Sequence, residues 1–196
     1  MILNLVLLTV FIAVTLMLTR EGLWTGLVTL LNVLLAASVA TAWYEVLANF
    51  LERHLPSYTY LLDSLSIWAI FSVVLLVLRE VTDRTSRTKV KFLRQVEFFG
   101  APAIAMIVGW LMVAFTAASL HTAAVPRDIV QPTPEKNLFF GLAPDRKWLQ
   151  WVRNASRRGP FGSPDHPFDS DARFILRYAD RRLKLEGEEA LRVQSK

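Results

Sequence analysis

Four long apolar runs constrain this chain more than any other feature. Ile2–Leu18 has 17 residues without a charge. Leu23–Phe50 carries a single ionisable residue, Glu45; Tyr60–Leu78 carries Asp63, and Phe99–Leu120 carries none. A membrane-spanning helix needs about 20 predominantly apolar residues, with ~17 as the working minimum. All four runs qualify, so the sequence predicts an all-α, polytopic membrane protein with four transmembrane helices and a small, partly helical C-terminal tail. The charge distribution agrees. Residues 1–120 hold 8 Lys/Arg and 7 Asp/Glu, and the 76 residues beyond hold 14 and 10. The first run resembles a signal peptide in length only: no basic residue precedes it, and Leu18-Thr19-Arg20-Glu21 is not a small-residue cleavage site. It is read as a retained span. Cysteine is absent, which removes disulfides, thiolate metal sites and a cysteine nucleophile from consideration.

The second run carries its own ruler. Trp24 and Trp43-Tyr44 have the character of interfacial anchors. At 1.5 Å per residue the two tryptophans lie roughly 29 Å apart, about the ~30 Å thickness of the hydrocarbon layer. Spans two and three should form an antiparallel hairpin across the Leu51–Thr59 loop. Orientation follows from basic residues in short loops. Arg20 and the six of Arg79–Glu97 lie on one side; Arg53, Arg127 and Lys136 lie on the other. Seven against three predicts cytoplasmic odd loops, with the N-terminus and the tail outside.

In the 79–97 loop, Arg84, Arg87, Lys91 and Arg94 share one face of a helical projection, opposite Val81, Val90, Phe92, Leu93 and Val96. That pattern fits an interfacial helix on anionic headgroups. A basic loop that only sets topology is the plainer alternative. Phe99-Gly100-Ala101-Pro102 reads as a break before the last span, with Pro102 in its first turn.

Ionisable residues within spans are candidates for function. Glu45 and Asp63 sit near the outer ends of their helices. They could line an ion pathway or be paired interfacial carboxylates, with Arg53 and His54 as nearby partners. Small residues form the second signal: Gly22 and Gly26, Ala36 and Ala40, then Ala101, Ala105 and Gly109, all at four-residue spacing. Such rows let helices approach closely, within one chain or between copies. Asn4, Asn32 and Asn49 are expected to bond across helices, and Trp68 and Trp110 to pack. No nucleophile motif, phosphate loop or zinc signature occurs, and no cofactor is expected. Ser163–Asp171 gathers oxygens around His166 without EF-hand spacing, so a Pro-rich turn is the plainer reading.

The tail begins with a Pro-rich stretch, 123–143, expected to be an extended linker. Residues 144–196 should hold two short helices. One starts at Pro144, with Trp148, Trp151, Val152 and Ala155 on a face; the other runs from about Asp171 to Glu186, striped by Phe174, Ile175, Tyr178 and Leu185. Neither supplies a robust core alone. They are expected to rest on the bundle, a neighbouring subunit or the membrane, and the tail to engage an extracytoplasmic protein partner. The many acidic residues argue against nucleic acid.

The Arg20-Glu21-Gly22-x-x-x-Gly26 entry to the second span, the basic third loop and the Gly100/Gly109 fourth span together resemble the bacterial colicin V production (CvpA) family, over residues 1 to about 122. The first span lacks the acidic residue often present in relatives, with Asn4 its nearest polar substitute. The resemblance implies an inner-membrane protein linked to toxin production or export and to envelope stress tolerance. Two functions stand side by side. One is a non-enzymatic homo-oligomer supporting export and envelope homeostasis, with Gly22, Gly26, Ala105 and Gly109 as contact positions. The other is a tension- or lipid-gated ion channel or small-solute transporter using Glu45 and Asp63.

Overall fold

A computed structural model describes residues 2–55, 58–85, 90, 92–158 and 168–187. Its helices are α1 (Ile2–Glu21), α2 (Leu23–Glu52), α3 (Thr59–Thr85), α4 (Arg94–Leu120), the short α5 (Arg127–Val130), α6 (Pro144–Arg158) and α7 (Phe174–Gly187). The first four are long and apolar enough to cross a membrane. α4 packs on α1 and α3 on α2, while α2 against α4 joins the two pairs.

A single residue, Gly22, separates α1 from α2. Its φ of +91° is a backbone conformation that a Cβ makes costly. A Cβ there would also lie 2.6 Å from Oε1 of Glu97 and displace that side chain. That same oxygen accepts the Leu23 amide at 2.7 Å. Glu97, in the first turn of α4, thus caps α2, where unsatisfied amides and the helix dipole favour a carboxylate. Glu97→Ala should cost about 1 kcal/mol of stability, seen as a lower melting temperature in detergent; an unchanged melt would show that the cap adds nothing.

Two sequence expectations change at this end. α4 does not break at Gly100-Ala101-Pro102 but runs through Pro102 from Arg94. Continuity carries Glu97 to the α2 terminus and lets Leu23 press on Gly100, where a Cβ would stand 3.0 Å from Leu23 Cδ2. Nor does one interfacial helix carry the basic face. Arg84 belongs to α3, which continues past the apolar run on Arg79–Asp83 and Arg84–Glu80 pairs. Arg94 opens α4, and the intervening Val90, Phe92 and Leu93 are not helical. Arg87 and Lys91 lie outside the described residues.

At the opposite end, called here the tail end, the core continues past the bundle. Trp68, Phe71 and Phe115 form a ring cluster with centroids 4.7–5.6 Å apart, and Trp148 of α6 meets Phe115 edge-on at 6.0 Å. Trp148, Leu149, Val152, Phe168, Phe174 and Tyr178 are buried in the same cluster as Ala36, Ala40 and Tyr44. The tail helices rest on their own bundle. The 123–143 stretch is not an extended linker either. It contains α5 and several turns, and its Leu138 and Phe139 are buried with Leu7, Val113 and Ala117. Apolar side chains there gain more from α1 and α4 than from water.

Candidate functional site

Where α2 and α3 meet at the tail end, they are joined by α7. Glu45 follows Tyr44 on α2, and Asp63 lies one turn into α3. Both carboxylates take their partners from α7, more than a hundred residues away. Arg177 donates to Glu45 and, at 2.9 Å, to the Tyr44 hydroxyl. Arg181 donates to Asp63 and, at 2.7 Å, to the Thr59 carbonyl. Tyr178 stands between the two arginines. Its hydroxyl donates to Asp63 at 2.9 Å and lies 2.9 Å from that of Tyr44. Burial, reinforced by the Asp63 carboxylate, pushes the Tyr178 phenol well above its ordinary pKa. It therefore stays protonated and keeps donating. Arg53 and His54, expected as partners, take no part here; His54 Nδ1 sits 3.0 Å from the Phe50 carbonyl. Beside Asn49 and Glu52 the cluster leaves an open polar cleft of about 250 Å³.

α7 is delivered to this position by its own N-terminus. Asp169 Oδ1 accepts the amides of Arg173 and Phe174 at 2.8 and 2.9 Å, and its Oδ2 accepts Arg153 of α6 at 2.6 Å. One carboxylate both caps α7 and ties it to α6. α6 is in turn fixed to α2. Trp148 Nε1 donates to Thr41 Oγ1 at 3.1 Å and Trp151 Nε1 to Ser38 Oγ at 3.4 Å.

A second polar contact lies deeper. His121, just past α4, places Nε2 2.9 Å from Oδ2 of Asp145 in the first turn of α6, and both side chains are fully buried. The His121 carbonyl accepts Arg182 of α7 at 3.1 Å. This junction of α4, α6 and α7 is invisible in the sequence, where the two residues stand 24 positions apart without a motif.

The small residues are placed as follows. Gly26 faces Ile104, where a Cβ would meet Cγ2 at 3.2 Å; Gly109 lies against α1, 2.6 Å from Thr15 Oγ1 and 3.1 Å from the Phe11 carbonyl by the same measure. Ala36, Ala40 and Ala105 are fully buried. Asn32 donates to Thr82 across α2 and α3 at 3.0 Å. Among the described residues no group of three His, Asp or Glu side chains is placed to hold a metal; most of the 163–171 segment, with His166, lies outside them.

Asp63→Ala removes the acceptor shared by Tyr178 and Arg181. With charged hydrogen bonds worth ~1.5–3 kcal/mol, discounted because Arg181 is partly exposed, the loss should be about 2 kcal/mol. Faster tryptic cleavage within α7 and a lower melt would register it, and Asp63→Asn should recover part of both. Cleavage at the wild-type rate would show that α7 is held by other contacts.

Four membrane-length helices closed at one end by the chain's own tail define a multi-pass helical membrane protein. Residues 3–156 match the colicin V production protein family, and the chain belongs to that family. The match runs through α5 and nearly all of α6, well beyond residue 122, where the resemblance by motif alone was expected to stop. Within the matched range, Trp148, Leu149 and Val152 are part of the bundle core. No curated protein and no solved structure matches the chain.

Proposed function

We propose that this is a non-enzymatic protein of the bacterial inner membrane that supports colicin V production or export and envelope homeostasis, working as an oligomer with its tail outside the cytoplasm. The observation that carries this reading is the closure of the tail end. Both ionisable residues of the spans, Glu45 and Asp63, are held by arginines of α7, which suits a scaffold presenting a fixed outer surface. The excess of basic residues in the odd loops supports the orientation. Since Gly26 and Gly109 face this chain's own helices, copies would meet through the exposed apolar faces of α1 or α3, such as Leu5, Ile12, Leu65 and Val73. Deleting the gene in a colicin V-producing strain should lower extracellular toxin activity, and the full chain should restore it. Toxin release unchanged by deletion would end this reading.

The polar cleft beside Asp63 favours a second reading, a tension- or lipid-gated channel or small-solute transporter. It requires a conductance in planar bilayers that changes with Asp63→Asn. Silence from folded, inserted protein would leave the scaffold alone.

A further inference from the structure

The depth of the 138–147 segment can be read from the helices it touches. Arg20-Glu21 ends α1 on the charged side. A hydrocarbon layer of ~30 Å requires about 20 residues counted back from there, which brings its far boundary to the region of Ile2. On α2 the same boundary falls at Trp43. Leu138 and Phe139 are buried against Leu7, Val113 and Ala117, with Trp110 packed alongside. Leu7 is five residues below Ile2, so Phe139 sits roughly 8 Å inside that boundary. α6 gives the same answer independently. Trp148 bonds Thr41 and Trp151 bonds Ser38, two and five residues below Trp43, or roughly 3 and 8 Å.

The loop joining these depths is built for an apolar surrounding. Phe139, Phe140, Gly141 and Ala143 all have positive φ, between 48° and 87°. The resulting tight turn closes on itself, with the Leu142 amide donating to the Phe139 carbonyl and the Ala143 amide to the Leu138 carbonyl, both at 3.1 Å. These two bonds lower the cost of holding an irregular backbone beside lipid. Its side chains point the other way: Phe140 is 64% exposed and Leu142 49%. Two rigidly held apolar groups so displayed would be a liability in water. At the depth of Phe139 they face acyl chains. Lys147 lies against the same apolar surface, its Nζ 5.6 Å from the Trp110 ring centroid.

We propose that residues 138–147 form a wedge set in the lipid leaflet at the tail end, with Phe140 and Leu142 among the acyl chains. The segment that reads as a water-exposed linker is thereby a non-spanning membrane anchor that fixes α6 at the interface.

The chain has no cysteine, so single spin labels report without background. In vesicles of phosphatidylethanolamine and phosphatidylglycerol, labels at Phe140→Cys and Leu142→Cys should be open to oxygen and shielded from a water-soluble nickel chelate. They should resemble a label at Leu65→Cys on the lipid face of α3. Their oxygen-to-nickel ratio should be several-fold above that at Lys136→Cys. A ratio equal to that at Lys136 overturns the proposal, as does shielding from both reagents, which would mean a protein cover. The two labels are independent, so misfolding of one variant leaves the other to decide.

Discussion

Gly109→Leu is expected to separate α1 from α4. A Cβ at this position would stand 2.6 Å from Thr15 Oγ1 and 3.1 Å from the Phe11 carbonyl, which is backbone and cannot rotate away. Overpacking of a close helix contact costs ~1–3 kcal/mol even when some relaxation is available. Here relaxation means moving all of α1, whose packing on the bundle is mainly against α4. Gly26 is the internal control. Its nearest neighbour is the Ile104 side chain at 3.2 Å, which can shift, so Gly26→Leu should cost less than Gly109→Leu. Melting in detergent alongside measurement of oligomer size separates the roles. A Gly109 variant that melts normally but loses its oligomer would place this row between copies rather than within one chain.

Trp148→Ala should have the largest effect of any truncation in the tail. The indole is buried between Phe115 and Thr41, contributing area to the common core and a hydrogen bond to α2. Removing a buried Trp typically costs ~3–5 kcal/mol. The loss should fall on the attachment of α6, and through the Arg153–Asp169 pair on α7 as well. Trypsin should then cut within α6 and α7 much faster while the four spans stay protected. Trp148→Phe keeps most of the apolar contact and gives up the bond to Thr41, a loss of about 1 kcal/mol. Equal proteolysis of wild type and Trp148→Ala would mean the tail is held without this anchor.

The spans were legible because water and lipid impose one simple rule: a spanning helix must be apolar along its whole length. Apolar runs therefore mark α1 and α2 to within three residues, while α3 and α4 extend seven and five residues beyond theirs on the charged side. The start of α6 was also readable from Pro144-Asp145, whereas α7 begins at Phe174, three residues after the Asp171 that the sequence suggests, because Asp169 caps the amides of Arg173 and Phe174. Glu45 and Asp63 stood out for a physical reason too, as ionisable groups in an apolar context.

Their partners did not stand out. Arg177 and Arg181 lie among many basic residues of a polar tail, where charge gives no direction, and only packing of α7 across α2 and α3 selects those two. His121 and Asp145 join for the same kind of reason, through the docking of α6 on α4. Glu97 reads as one acid in a basic loop until the left-handed turn at Gly22 brings the start of α2 against it. Phe139 and Phe140, adjacent in a stretch that proline content marks as a linker, take opposite fates: one is buried on the bundle, the other exposed beside it. Local sequence determined what could cross the membrane, because hydrophobicity acts residue by residue along a helix. Tertiary structure decided what closes the tail end, because each of those contacts depends on groups that only the fold brings within reach.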